Sequence, residues 1–369
     1  MAPKLSLRRR MNVADLNAIE TRVGAWLAEC QPLLDVFTPY TDEFGKFHPN
    51  GRDPYLNFAS IGLYGIPFPQ LFADYEGRNG KDKKLAAKRM RQIAKPPVLG
   101  SIYRMAGGGW GWSKKGYKDH QPDCPGKRIC ECPTIYDRVK TGLWGYAENM
   151  GVEMEQDEAN RVSRVFRETF PEICGNGYNG QIKGIWVRLE EAVADVMNGK
   201  ETVRYIGPGN AVKIDKIVVT QSDGSESNIM RMRLPSGRYL HYLDARLENC
   251  KMPWKDQEGN DVYRPALVYA GLNQDTKQWE TWTQTHGGKL FENLVQGIAR
   301  DVLAVKLMMF EAMDCPVHGH VHDEGICIVP KDPFSPTVKD MVRVMSERVS
   351  WAPTLPLGAD GFEDDFYHK

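Results

Sequence analysis

The spacing of apolar and polar residues predicts a mixture of strands and helices. Residues 12–16 form a short strand-like run, and apolar side chains then recur at helical spacing, at Ile19, Val23, Trp26 and Leu27. Near the C-terminus, PVHGHVHDEGICIVP places apolar residues on both sides of residues 322–325, which predicts a β-hairpin with these four residues at its tip. An amphipathic helix over residues 286–313 leads into that hairpin.

The pattern changes several times between these ends. Asp53 followed by Pro54 is typical of a helix start, since aspartate caps a helix N-terminus and proline suits its first turn. Residues 82–104 form a basic helical stretch, whereas residues 107–133 carry too many Gly, Pro and Cys residues for a regular element. Further helices are predicted over residues 155–170, 184–198 and 338–349, and a β-rich insertion over residues 200–285.

The composition is that of an ordinary globular protein. With 369 residues, of which 41% are hydrophobic and 26% charged, the chain can form two or three subdomains. Lys and Arg balance Asp and Glu at 48 each, so no overall field favours nucleic acid, although Lys4 and residues 8–10 form a local basic patch. We expect a cytoplasmic protein with reduced cysteines and no membrane partner, because the sequence has neither a membrane-spanning run nor a signal-peptide core.

Two carboxylates lie where predicted strands end. Asp15 is near the end of the first strand and Asp323 lies at the tip of the hairpin. Mg²⁺ is bound by oxygen ligands, usually from one or two carboxylates, and two such ions can hold the attacking and leaving oxygens of an in-line displacement. The pair therefore indicates a two-metal site. The alternative is that Asp323 is an ordinary turn residue.

The basic helical stretch carries a second candidate set of side chains. Four of them recur every four residues and would lie along one slowly rotating stripe of a helix: Arg91, Lys95, Leu99 and Tyr103. Two cations followed by an aromatic ring suit a triphosphate whose base lies near the far end of the stripe. The alternative is a solvated basic face.

Four motifs resemble, in order, those of family A DNA polymerases, the DNA polymerase I type. They are VADLNAIETRV, the R-x3-K-x7-Y spacing in RQIAKPPVLGSIY, ENLVQGIARD and HVHDE, and LPSGRYLHY is similar to the bacteriophage-encoded variant. The resemblance implies an α+β fold. Its parts would be a first palm part (1–60), mostly helical fingers (61–200), a small β-rich insertion (201–285) and a second palm part with an antiparallel sheet (286–369).

The resemblance also implies template-directed DNA synthesis, with primer–template DNA and a deoxynucleoside triphosphate as partners. Asp15, Asp323 and the main-chain carbonyl of Leu16 would hold two Mg²⁺ ions. Glu324 and His322 would lie beside the primer end.

Other matched residues would contact the substrates. Glu20 would block a ribose 2′-hydroxyl close to Tyr103, and Arg91 and Lys95 would grip the incoming triphosphate. Gln296, and less securely Asn293, would touch the minor groove of the template–primer. Arg22 would form a structural pair behind the palm, or alternatively be a surface arginine.

The chain departs from the family pattern in the fingers. Pro96 and Pro97 predict a kinked helix or separate turns, because a proline inside a helix removes a hydrogen bond and costs about 3 kcal/mol. Arg104 stands where the family usually has glycine, and Leu99 replaces an aromatic ring found in many relatives.

A thumb and an exonuclease would lie before Asp15, where the sequence has fourteen residues. We therefore expect half of a split polymerase that needs a thumb-bearing partner polypeptide, or a truncated gene product. If a phage encodes the chain, it would work in the cytoplasm of the bacterial host.

Two further interpretations concern the metal content and the activity. His120, Cys124, Cys130 and Cys132 lie close together and could hold a structural zinc ion, but the usual C-x2-C pair is absent, so reduced surface thiols are the alternative. The chain could also be an inactive DNA-binding remnant, or a metal-dependent hydrolase. The hydrolase would leave the spacing of Arg91, Lys95 and Tyr103 unexplained.

Overall fold

The computed structural model describes residues 9–117, 134–175, 181–220, 222–256, 258–273 and 277–367. The fold is α+β, as predicted, with antiparallel sheets and packed helices. The chain divides into two compact units: unit 1 comprises Met1–Asn57 and Phe170–Lys369, and unit 2 comprises Phe58–Thr169.

The strands in the described part of the chain are β1 (Arg9–Leu16), β2 (Tyr40–Thr41), β3 (Phe47–His48), β4 (Trp110–Tyr117), β5 (Thr134–Lys140), β6 (Val203–Ile206), β7 (Val212–Thr220), β8 (Glu226–Arg233), β9 (Tyr239–Lys255), β10 (Asp261–Leu272), β11 (Trp279–Gln284), β12 (Val317–Val321), β13 (Glu324–Pro330) and β14 (Ala359–Asp364). The α-helices are α1 (Ile19–Ala28), α2 (Gln31–Leu34), α3 (Pro54–Phe58), α4 (Phe68–Glu76), α5 (Lys81–Gly100), α6 (Gly142–Asn149), α7 (Gln156–Thr169), α8 (Pro171–Cys174), α9 (Ile185–Met197), α10 (Gly287–Ala312) and α11 (Val338–Ser346). A π-helical turn (Ala59–Tyr64) follows α3, and 3₁₀ turns lie at Asp35–Phe37, Ser101–Tyr103 and Pro208–Asn210.

The first sheet of unit 1 joins the two ends of the chain. Its strand order is β12-β13-β1-β14, so the N-terminal strand lies between two C-terminal ones and pairs antiparallel with both. Helix α11 packs on β1 and β14, and α10 packs against β12, β13 and α1. The predicted strand at 12–16 and the predicted helix at 286–313 are confirmed by β1 and α10.

The second sheet of unit 1 forms the predicted β-rich insertion. Its six strands follow one another as a meander, in the order β11-β10-β9-β8-β7-β6. Helix α9 packs against β6, β7, β9 and β10 and also against α10. Because of this packing, residues 170–200 lie in unit 1, although the sequence placed them in the fingers segment 61–200.

Residues 110–117 are more regular than the sequence predicted, whereas residues 118–133 of the same predicted irregular segment lie outside the described residues. Residues 110–117 form β4, which pairs antiparallel with β5. The guanidinium of Arg138 lies over the ring of Trp110, 4.5 Å from its centroid. The glycines that argued against a regular element alternate with aromatic residues here, and the tryptophans supply the cross-strand contacts that stabilise a strand pair.

The two consecutive prolines do not divide the basic helix. Helix α5 continues through Pro96 and Pro97, and both are buried. Arg91, Lys95 and Leu99 therefore share one helix, whereas Tyr103 lies in the 3₁₀ turn that follows. The packing of both rings offsets part of the cost of two missing helical hydrogen bonds.

Among the described residues, no helix is long and apolar enough to cross a membrane. The described cysteines are free thiols: Cys30, Cys174, Cys250, Cys315 and Cys327. The four residues of the predicted zinc site lie outside the described residues.

Lys306 offers a test of the packing between α10 and α11. Its side chain is fully buried, and its ammonium donates to the main-chain carbonyl of Glu347. Burial lowers the pKa of Lys306, and the charge of Glu347 opposes this shift. A lysine whose pKa is lower in the folded state costs stability at neutral pH, and this cost disappears as the pH rises toward the unfolded-state pKa.

We therefore expect the free energy of unfolding of the wild type, relative to Lys306→Met, to rise as the pH rises toward about 10. Urea unfolding of both proteins at pH 7.5 and pH 9.5 measures this difference. A difference that stays constant between the two pH values would contradict a perturbed lysine.

Candidate active site

The first sheet brings the two predicted metal-binding aspartates to neighbouring strand ends. Asp15 pairs with Glu324 in the β1–β13 ladder, so Asp323 lies one residue from the partner of Asp15. The main-chain N–H of Leu16 donates to the carbonyl of Asp323 at 3.2 Å. The fold therefore joins the two strands that carry Asp15 and Asp323, as a metal site shared by both aspartates requires.

The hairpin turn itself is tighter than predicted. Val321 pairs with Glu324, so the turn consists of His322 and Asp323 alone, and Glu324 begins β13. His322 is exposed and has a φ of 54°, in the left-handed region that glycine favours and that histidine tolerates better than most residues. Asp323 is half-buried next to it.

A row of three carboxylates crosses the end of this sheet. Asp15 lies directly opposite Glu324 on one side and Asp360 on the other. Directly opposite residues of antiparallel strands project from the same face, and like charges in such positions repel. Glu324 is 4% exposed and accepts a hydrogen bond of 2.7 Å from the Tyr367 hydroxyl. Asp360 accepts from the side-chain amides of Asn17 at 3.0 Å and Asn50 at 3.2 Å.

Arg22 fixes the turn that follows Leu16. Its Nε donates to the carbonyl of Asn17 at 2.7 Å, and its Nη2 donates to the carbonyl of Asn50 at 2.8 Å. The backbone between Leu16 and α1 needs this support, because Ala18 takes a left-handed φ of 49°. Arg22 thus connects the two asparagines that hold Asp360.

Arg22 is a core residue, so its interpretation as a surface arginine is wrong. Its side chain is 1% exposed, and its guanidinium lies 4.2 Å from the centroid of the Phe37 ring. Burial lowers the pKa of Arg22 to about 10, and the nearby charge of Asp360 opposes this shift. At neutral pH the guanidinium remains charged and is the positive counterpart of the carboxylates at the strand ends.

Glu20 and Gln296 contact each other, although the resemblance assigned Glu20 to the sugar of the nucleotide and Gln296 to the template–primer. Glu20 lies in the first turn of α1, and Gln296 lies on an exposed position of α10. The Gln296 amide donates to a Glu20 carboxylate oxygen at 2.6 Å. The position of the Glu20 carboxylate therefore depends on α10 as well as on α1.

Asn293 is engaged with the second sheet. Its amide donates to the hydroxyl of Tyr242 at 2.9 Å, and that tyrosine is 3% exposed. Burial raises the pKa of Tyr242, and the hydrogen bond with Asn293 opposes this shift. About two turns further along α10, Asp301 pairs with Arg238 at 2.8 Å. The LPSGRYLHY motif thus docks against α10.

The predicted nucleotide-binding residues of unit 2 share one level of exposure. All four are half-buried, and Lys95 and Leu99 lie between buried neighbours, as expected for a stripe along the edge of a packed face: Arg91, Lys95, Leu99 and Tyr103. The Arg91 guanidinium lies 5.9 Å from the ring centroid of Tyr75 on α4.

The donor set at the strand ends fits Mg²⁺. Two carboxylates, Asp15 and Asp323, and the carbonyl of Leu16 are hard oxygen donors, and Mg²⁺ is usually held by one or two carboxylates together with waters and substrate phosphates. Within the described ranges no three His, Cys, Asp or Glu side chains converge as a metal-binding group. The row of three carboxylates is therefore not a ready-made protein cage.

Sequence reasoning missed Asp360, Asn17 and Asn50. Asp360 lies in GADGFED, which has no clear apolar period, and only the strand register places it beside Asp15. Asn17 does fall within the motif quoted for the first strand, next to the aspartate, and that adjacency was the available signal. Nothing in the sequence indicated Asn50.

Comparison with known proteins supports the predicted resemblance. Over 144 residues the chain is 40% identical to a DNA polymerase of Bacillus phage SP02, and the match covers 39% of this chain and 20% of the phage protein. The match thus spans about a fifth of the length of this relative. No protein-family model matches.

A solved structure also matches, at a low score. It is the POL domain of Pol1 from M. smegmatis in complex with DNA primer-template and dNTP, with 12% identity and a TM-score of 0.41 over 98% of this chain and 41% of that chain. The resemblance to DNA polymerases is supported by the 144 residues shared with the phage sequence.

Arg104 allows a test of the backbone after α5. It has a φ of 73°, in the left-handed region, at the position where the family usually has glycine. We expect Arg104→Gly to be more stable to urea than Arg104→Ala by about 1 kcal/mol, because alanine carries a Cβ penalty there and glycine does not. Alanine is the matched control, since both variants lose the same side-chain contacts. Equal stability would mean that this turn carries no strain.

Proposed function

We propose that this chain, a relative of a phage DNA polymerase, is the catalytic portion of a template-directed DNA polymerase. It would add deoxynucleotides to the 3′ end of a primer, with primer–template DNA and dNTP as substrates. The observation that carries the proposal is the register of β1 and β13, which brings Asp15 and Asp323 together at strand ends with oxygen donors suited to Mg²⁺.

The residues of unit 1 would act on the primer end and the sugar. Asp15, Asp323 and the Leu16 carbonyl would hold two Mg²⁺ ions, which when bound supply charge stabilisation at the reacting phosphate. Glu324 and His322 would border the primer end. Gln296, which is exposed on α10, would face the minor groove, whereas Asn293 already donates to Tyr242 and is the weaker candidate.

The stripe on α5 would bind the incoming nucleotide. Arg91 and Lys95 would contact the triphosphate, and Leu99 and Tyr103 would contact the sugar and base. The primer 3′-oxygen forms a bond to the α-phosphorus, and the bond to the bridging oxygen breaks, so that pyrophosphate leaves with the electron pair. The side-chain charges of Arg91 and Lys95 would stabilise the negative charge that develops on pyrophosphate. The proton of the primer 3′-hydroxyl passes to solvent.

We further propose that a thumb-bearing polypeptide, or a thumb elsewhere in a longer protein, completes the grip on duplex DNA. The 144 matched residues are 20% of the phage relative, so that protein is about twice as long as this chain, which supports this view. An inactive DNA-binding remnant is the alternative function. The hydrogen-bond network of the buried Arg22 with the half-buried Asn17 and Asn50 favours a working site, because it orders the strand ends that hold the aspartates.

Primer extension tests the two-metal assignment. We expect Asp15→Asn and Asp323→Asn each to reduce single-nucleotide extension of a labelled primer, with Mg²⁺ and excess protein, by about a thousandfold or more. DNA affinity should be unchanged or higher, because each change removes a negative charge beside the DNA. Asp261→Asn, a surface carboxylate of the second sheet, is the matched control.

Wild-type activity retained in either variant would contradict the assignment. If the wild type shows no extension, the reaction is repeated with a thumb-bearing fragment of a related polymerase added. Extension restored with wild type but not with Asp323→Asn would support a partner-dependent enzyme, and no extension in any mixture would favour the remnant.

Sugar discrimination tests the contact between Glu20 and Gln296. We expect Glu20→Ala to raise the ratio of ribonucleotide to deoxynucleotide incorporation by about a hundredfold, because the polar wall that excludes the 2′-hydroxyl is lost. Gln296→Leu should raise the same ratio less, by releasing the Glu20 carboxylate. In the Glu20→Ala background Gln296→Leu should leave the ratio unchanged. Additive effects of the two changes on the ratio would show that Gln296 does not act through Glu20.

A further inference from the structure

The second sheet exposes one face that is both basic and aromatic. The strand register aligns Tyr205 with Lys213, Lys213 with Arg233, and Arg233 with Tyr239 across β6 to β9. A second row aligns Asp215 with Arg231 and Arg231 with His241. We call these seven residues the basic face. Directly opposite residues share a side of the sheet, so all seven project together.

The other side of these strands is packed against α9. It carries buried apolar side chains, among them Val212, Ile214, Met230 and Met232. On this side Arg204 of β6 pairs with Asp195 of α9 at 2.6 Å. The sheet therefore does not need the basic face for its core, and packing does not explain why that face is rich in cations and rings.

The basic face has a positive balance of charge. Lys213 and Arg231 both pair with Asp215, at 2.8 and 2.7 Å. Burial raises the pKa of Asp215, but the hydrogen bonds from these two cations outweigh that effect, so its pKa is lowered overall and it stays charged. Arg233 is exposed and has no ion pair within the described part of the chain. Three cations thus face one carboxylate.

A cavity of about 290 Å³ opens at one end of the basic face. Its lining includes Tyr205, Lys213 and Arg233, together with Trp351 from the segment after α11. Tyr205 is 50% exposed. Two cations and two aromatic rings at one cavity combine donors for a phosphate with surfaces on which a base can stack.

We propose that the basic face is a binding site for single-stranded DNA, separate from the aspartates at the strand ends. The cations would contact successive phosphates, and Tyr205 and Trp351 would stack an unpaired base at the cavity. The choice of DNA as the polynucleotide rests on the proposed polymerase function. A duplex fits less well, because its bases are stacked internally and cannot use the aromatic rings.

Binding of a fluorescein-labelled 15-nucleotide oligo-dT to the full chain, measured by anisotropy without dNTP, tests the site. We expect Tyr205→Ser and Arg233→Ala each to weaken binding by about tenfold. Arg233→Ala should also reduce the slope of log affinity against log salt by about 0.7, the value for one phosphate contact on a single strand, and Tyr205→Ser should not.

Matched controls come from the same sheet. Tyr263 on β10 is 55% exposed, and its neighbour Arg264 is also exposed, so Tyr263→Ser and Arg264→Ala remove a similar ring and the same charge outside the basic face. Both should bind oligo-dT like the wild type. Thermal unfolding of all four variants verifies that they are folded.

Photocross-linking of an oligo-dT that carries 5-iododeoxyuridine locates the strand directly. Cross-links at Tyr205, Tyr239 or Trp351 would support the proposal. The proposal would be overturned by cross-links confined to other regions, or by basic-face variants that bind oligo-dT like the controls. It would also be overturned if these variants lost affinity equally for a 15-base-pair duplex, or if dTMP competed as well as the oligonucleotide. Binding is measured without synthesis, so the two proposals can fail separately. If the chain binds oligo-dT as expected but extends no primer in any mixture, only the polymerase proposal is contradicted.

Discussion

The antiparallel pairing of β1 with β13 and β14 is the constraint on which the candidate site depends. One register places Asp15 between Glu324 and Asp360 and joins Leu16 to Asp323. A slip of one residue would turn every side chain of β1 to the other face and bury the Asp15 carboxylate against α11. The network of Arg22, Asn17 and Asn50 holds the end of β1 in place and compensates part of the repulsion among the carboxylates.

Helix α10 connects the two sheets of unit 1. It packs under the hairpin that carries Asp323, contacts Glu20 through Gln296, and receives the second sheet through Asn293 and Asp301. The helix predicted to touch the minor groove therefore also positions Glu20, the residue proposed to exclude a ribose 2′-hydroxyl, and supports the second sheet. A change on α10 will affect more than one of these functions, which is why ratios and double-mutant cycles are more informative here than single activities.

The sequence predicted the elements better than the contacts between them. Apolar periodicity was sufficient for β1 and α10, because each buries a single face with a regular period. It failed at residues 110–117, where glycines mask an alternating pattern, and at Pro96 and Pro97, where packing outweighs helix propensity. Asp360 and Asn50 could not be found at all, since their relevance comes from register and tertiary hydrogen bonds that no local pattern records.

The central place of β1 also has a consequence for biosynthesis. Both strands that flank β1 are made more than 300 residues later, so at a ribosomal rate of roughly 5–20 residues per second the first strand waits about 15–60 seconds for its partners. Unit 2 is continuous in sequence and can fold during that interval, whereas the first sheet closes last and pays the loop-closure entropy of nearly the whole chain. Until then the apolar strand remains open to chaperones or to mispairing with another nascent chain.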